Sequence, residues 1–167
     1  ALKRIMSRAE ILKVLASGRS IEYVVTVSEG LNRFEIAAIV DRLGIGTRAE
    51  FLRLTQDREF IQRNLGEDVA TLEGYLFPET YYVTRASGVR GLVRQMIAKF
   101  KESFATVRVA AGSEIAVPLK KREVVTLASI IEKETGAAAE RPLISSVFHN
   151  RLRKGMKLQT DPTVIYG

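Results

Sequence analysis

With 167 residues, 46% hydrophobic and 27% charged, the chain can bury a core and is too apolar for a disordered tail. It has no cysteine and a single histidine, which excludes disulfides, thiolate chemistry and a Cys/His zinc set, so neither metal nor cofactor is expected. A net charge of +7 asks for a polyanionic partner without choosing among nucleic acid, anionic lipid and an acidic cell wall, and no apolar run reaches the ~18 residues of a membrane span.

A first helix is predicted from Ser7 to Ala16, capped by Ser7, stopped at Gly18, with Ile11, Leu12, Val14 and Leu15 as its apolar face. Ile21 to Val27 is rich in β-branched residues and reads as a strand ending at Ser28-Glu29-Gly30. Leu31 to Leu43 repeats at helical spacing until Gly44-Ile45-Gly46 breaks it. Thr47 then caps one further helix that turns Phe51, Leu52, Leu54, Phe60 and Ile61 inward. Arg53, Arg58 and Arg63 on its outer face alternate with Asp57 and Glu59, a solvated pattern that argues against nucleic acid.

Thr71 to Tyr82 is aromatic-rich and punctuated by Gly74 and Pro78, which predicts a loop crossing a core surface. Its rings could stack on sugar faces, although packing is the plainer reading. Val89 to Phe104 is a helix with Leu92, Val93, Met96, Ile97 and Phe100 on one stripe, and Arg108 to Lys121 reads as a linker. With so few strands alternating with helices, a doubly wound parallel sheet is excluded; the expected class is α+β, helix-dominated.

The C-terminal stretch carries the chemistry. Val124, Val125, Leu127, Ala128, Ile130 and Ile131 make an apolar helix pattern into which Glu132, Lys133 and Glu134 fall. A carboxylate desolvated by apolar neighbours has its pKa raised and becomes a proton donor near neutral pH. A second amphipathic helix follows, with Leu143, Ile144, Val147, Phe148 and Leu152, ending at Lys154-Gly155. His149 falls off its apolar stripe and is expected at the surface. Gln159, Thr160, Asp161 and Tyr166 then cluster around Pro162, which forces extended backbone before it.

The runs ASIIEKETGAAAERP, VFHNRL and GMKLQTDPTVIYG resemble the catalytic segment of the YceG-like (MltG) family, the endolytic murein transglycosylases. Glu73 to Tyr81 is similar to the family's EG-aromatic-LFPDTY signature, with Glu79 where the family has Asp. The resemblance implies an accessory region over residues 1–70, the end of a LysM-like subdomain with connecting helices, and over 71–167 the first part of a catalytic domain of lysozyme-like logic. Because members continue past this motif, it also implies a chain truncated at Gly167 relative to the whole domain.

The implied activity is endolytic cleavage of β-1,4 bonds between MurNAc and GlcNAc in peptidoglycan, with 1,6-anhydro ends, on nascent strands. The implied setting is the cytoplasmic membrane of a bacterium, with one anchor upstream and the catalytic region facing the periplasm or wall beside cell-wall synthases. In such enzymes one Glu serves first as acid, then as base on the C6 hydroxyl of the same muramoyl residue. Spacing does not choose between Glu132 and Glu134. The family's likeness to lysozyme-like enzymes, which carry the acid in a Glu-Ser pair, favours Glu134-Thr135, with Glu132 second. Asn150, Gln159, Thr160, Asp161 and Tyr166, with Glu73, Tyr75 and Phe77, are the expected glycan-binding residues. Asp161 is also open to two other readings, a second carboxylate for hydrolysis or a turn residue before Pro162. The rival from another class is a non-enzymatic peptidoglycan-binding scaffold.

Overall fold

The computed structural model describes residues 7–16, 21–111 and 119–161. Helices dominate, joined by one small antiparallel sheet, in keeping with the α+β expectation. The elements in order are α1 (Arg8–Ala16), β1 (Glu22–Val27), α2 (Arg33–Arg42), α3 (Arg48–Leu54), α4 (Arg58–Asn64), β2 (Glu79–Thr84), α5 (Gly88–Ala111), α6 (Lys121–Glu134) and α7 (Arg141–Arg153), with a 3-10 turn at Ala138–Glu140.

Local chemistry sets most of these boundaries. Ser7 and Glu10 close a capping box on α1, yet Leu12 on the predicted apolar face is 66% exposed. The predicted stop at Gly18 lies outside the described residues. Asn32 caps α2 by accepting from the amides of Phe34 and Glu35, which delays its start from the predicted Leu31 to Arg33.

The single helix predicted after Thr47 is two. Thr47 caps α3 as expected, but the Thr55 hydroxyl turns back to the Leu52 carbonyl and Asp57 Oδ1 accepts from the Phe60 amide, opening a new helix. A second correction concerns the aromatic loop, whose last part is strand β2. It pairs with β1 in the register Glu22↔Thr84 to Val27↔Glu79, burying Val25, Val27, Tyr81 and Val83 on one face. Glu79 caps no helix; it opens β2, where its carboxylate accepts from the Thr80 amide at 3.0 Å. A third correction is the linker: α5 continues through Ala111, and α6 already begins at Lys121.

The core lies between the sheet and α2 to α5. Leu92, Val93, Met96, Ile97 and Phe100 fill it from α5, as their spacing predicts, against Ile36, Val40, Phe51 and Ile61. One core cluster gathers residues from both sides of position 70, including Val69, Leu72 and Tyr75. None of the described helices is long and apolar enough to cross a membrane.

Candidate active site

Helix α6 lies across the Leu72–Phe77 loop, and three contacts hold it there. At its start, Lys121 Nζ is 2.6 Å from Glu67 Oε1 and 5.4 Å from the centroids of both Phe100 and Phe104. An ammonium so placed gains from the carboxylate and from the negative ring faces together. In its middle, Val125 packs against the core directly above Gly74.

Gly74 has a φ of +81°, and a Cβ there would stand 2.9 Å from Val125 Cγ1. Both facts require glycine: the backbone is left-handed, and the space belongs to the helix. Gly74→Ala is therefore expected to destabilise by about 1–3 kcal/mol, read as a lowered thermal midpoint.

The third contact is at the end of α6. Glu132 Oε1 accepts from Arg141 Nη2 at 2.9 Å, and the same nitrogen is 3.8 Å from Glu29 Oε2 in the turn after β1. Lys133 reaches the same turn, its Nζ 3.9 Å from where a Cβ on Gly30 would lie. Beyond Glu134 the chain turns through Thr135, whose hydroxyl donates to Glu140 at 2.7 Å and accepts from the Ala137 amide.

Between α6 and the residue 69–78 loop runs a cavity of about 890 Å³, whose walls include Arg33, Glu73, Phe77, Arg122, Glu132 and Lys133. A second hollow of about 410 Å³ lies against Ala128, Ile131, Glu132 and Arg141. The two candidate acids are thus placed differently. Glu132 is half-buried, ion-paired and on the wall of both hollows. Glu134 is exposed, borders neither, and its side chain has no hydrogen bond or ion pair among the described residues. At about 100° per residue, side chains two apart leave a helix on nearly opposite sides, so one cation does not serve both.

The predicted binding residues divide between the cavity and the chain after α7. Glu73 accepts from the Arg33 amide at 3.1 Å, placing its charge at the N-terminus of α2. Phe77 lies on the cavity wall and packs against the core. Tyr75 is 3% exposed, edge-on to Phe100, with its hydroxyl donating to Glu67 at 3.3 Å. Its ring packs in the core and also borders the cavity. Asn150 is exposed on α7, while Gln159, at φ +50°, and Asp161 are exposed after it. Thr160 is buried, and Arg151 donates to the Leu158 carbonyl, which ties this strip to α7. Tyr166 lies outside the described residues. Leu143 and Val147, expected on the buried stripe of α7, are 69% and 44% exposed, and burial falls instead on Phe148 beside a half-buried His149.

Burial, reinforced by the neighbouring Glu67 carboxylate, pushes the Tyr75 phenol up to about 12. Burial, with Glu79 adding to it, also raises Tyr81. A phenol raised in the fold stays protonated there while the unfolded chain ionises near its ordinary value of about 10. The stability it contributes is thus present below pH ~10 and is lost as pH rises from there toward ~12. Tyr75→Phe is expected to flatten that part of the alkaline stability curve, measured by denaturant titration at several pH values.

The sequence profile of the YceG-like family matches residues 1–167. Across 190 aligned positions the chain is 29% identical to the endolytic murein transglycosylase of Streptococcus pneumoniae serotype 2, covering 99% of this chain and 34% of that protein. It is 32% identical to the endolytic murein transglycosylase of Bacillus subtilis, over 99% of this chain and 49% of that one. A crystal structure of a yceG-like protein from Listeria monocytogenes matches with a TM-score of 0.73 at 29% identity, over 96% of this chain and 57% of that one. The chain thus spans between a third and a half of the length of these two curated relatives.

Proposed function

This chain belongs to the YceG-like family, and from that premise we propose that the protein carrying it is a lytic transglycosylase that cuts peptidoglycan strands internally. The bond cut is the β-1,4 link between MurNAc and GlcNAc. The single observation that carries the reading is the match, along the whole chain, to two proteins named endolytic murein transglycosylase.

Glu134 is the proposed acid. Protonating the glycosidic oxygen needs a carboxyl group free to carry and surrender a proton. The Glu132 carboxylate is already taken up by the Arg141 guanidinium, whereas the Glu134 side chain is unengaged among the described residues at the end of its helix. In the proposed sequence Glu134 gives its proton to the leaving oxygen as positive charge builds at the anomeric carbon. The resulting carboxylate then takes a proton from the C6 hydroxyl of the same muramoyl residue, whose oxygen closes the 1,6-anhydro ring. No water enters the product. The polar strip from Gln159 to Asp161 offers donors and acceptors for a glycan strand, and the cavity along α6, with Arg33, Glu73, Phe77 and Arg122 on its walls but not Glu134, would hold parts of the strand away from the bond that is cut.

Residues 1–70 would then serve as the LysM-like accessory region, with the whole protein held in the cytoplasmic membrane, facing the wall and acting on nascent strands beside the synthases. These placements rest on the family likeness alone. Mass analysis of digests of purified glycan strands tests the reading, using the protein as it occurs in the cell. Anhydro-ended fragments support it, water-added reducing ends would make the protein a hydrolase, and binding without cleavage would make it a scaffold.

A further inference from the structure

The elbow between α6 and α7 holds a charged cluster for which acid–base chemistry has no use. Arg141, the first residue of α7, reaches back nine positions to Glu132 at 2.9 Å and across to Glu29 at 3.8 Å. Its Nε is buried with no acceptor among the described residues. Burying a donor without a partner is unfavourable, so the guanidinium stays in place because the two carboxylates hold it.

We propose that Arg141 is a positioning residue for Glu134, acting through Glu132 and Glu29 to fix the last turn of α6 against the turn after β1. This rests on the reading of Glu134 as the acid. The last turn of a helix lacks partners for its carbonyls and frays unless something holds it. Here Glu134 is the final residue of α6, and Thr135 after it is already extended. Without the Arg141 bridge, the polar links left in the elbow run between Thr135, Ala137 and Glu140, all beyond the acid. A planar guanidinium can face two carboxylates from two elements, and a lysine ammonium presents only a point charge. Because side chains two apart diverge, Arg141 holds Glu132 without drawing its charge toward Glu134. The acid keeps its freedom to give up a proton while the backbone under it is fixed.

The test compares kcat and KM on purified glycan strands for Arg141→Gln, Arg141→Lys, Glu29→Gln and the Arg141→Gln/Glu29→Gln pair, each checked for its thermal midpoint. Misplacing a catalytic group costs up to ~100-fold, and loss of an orienting partner ~10–100-fold. Arg141→Gln is therefore expected to lower kcat by about 10-fold or more with KM within about 3-fold. Arg141→Lys should recover part of that loss, and Glu29→Gln should cost nothing further once Arg141 is gone. Wild-type kcat in a folded Arg141→Gln, with Glu134→Gln inactive, would overturn the positioning role and leave the acid in place. Activity in Glu134→Gln would instead remove the reading on which the proposal stands. Where Arg141→Gln does not fold, the more exposed Glu29 decides: Glu29→Gln should lower kcat about 2–3-fold, and an unchanged kcat overturns the proposal.

Discussion

Glu134→Gln is expected to abolish glycan cleavage while leaving the fold and most of the binding intact. The amide keeps the size and reach of the carboxyl group but has no proton to give to the glycosidic oxygen. The contribution removed is typically about 10²–10⁴-fold in rate, well within the range of a digestion assay. Stability should barely change, because Glu134 is exposed and has no partner among the described residues. Glu132→Gln is the paired control. It removes the charge that pairs with Arg141 and leaves a neutral acceptor of the same size on the cavity wall, so it should slow cleavage about 10-fold through orientation without ending it. A dead Glu132→Gln beside an active Glu134→Gln would transfer the acid to Glu132.

The largest expected effect on stability is at Phe51. This ring is 0% exposed, on a two-turn helix that packs on both α2 and α5. Phe51→Ala removes the ring's transfer free energy and leaves a void that stiff helical neighbours fill poorly, which together cost about 3–5 kcal/mol. Against a typical total of ~5–15 kcal/mol, that is enough to leave part of the population unfolded near body temperature. The check is chemical denaturation, where the midpoint should fall sharply with little change in slope. Leu12→Ala on α1 gives the contrast: with that side chain 66% exposed, the change should stay within about 0.5 kcal/mol.

What could be read from the sequence was what short-range periodicity encodes. The stripe from Leu92 to Phe100 repeats every three to four residues over several turns, and all five of its side chains are buried. Thr47 and Ser7 announce their helices because a cap acts on amides two or three residues away. Strand β2 escaped because Gly74 and Pro78 dominate the pattern in front of it, and because its partner lies more than fifty residues earlier, where local spacing carries no information. The break at Asp57 escaped for a different reason. The apolar period runs on through it from Leu54 to Phe60, and only the bond from the Phe60 amide shows that a new helix has begun.

The site divides the same way. Glu132 and Glu134 stand out in the sequence as acids inside an apolar pattern, yet their different surroundings do not. Arg141 was missed altogether, since one of its partners is nine residues away and the other, Glu29, lies far back in the chain, in the turn between β1 and α2. The one local hint was the Arg-Pro pair opening α7, where Pro at the start of a helix fixes where the preceding side chain emerges. Tyr75 shows another part that local pattern does not carry: its ring is packed edge-on to Phe100 in the core while it also borders the cavity beside α6.

The central claim is that the bond is broken without water, and the most direct measurement is digestion of purified glycan strands in water enriched in heavy oxygen. If the C6 hydroxyl closes the ring, the new ends carry no label, each is lighter by one water than a reducing end, and mid-length fragments appear before short ones. Heavy oxygen at the new anomeric carbons would mean that water is the nucleophile, and the transglycosylase account of this chain would be wrong.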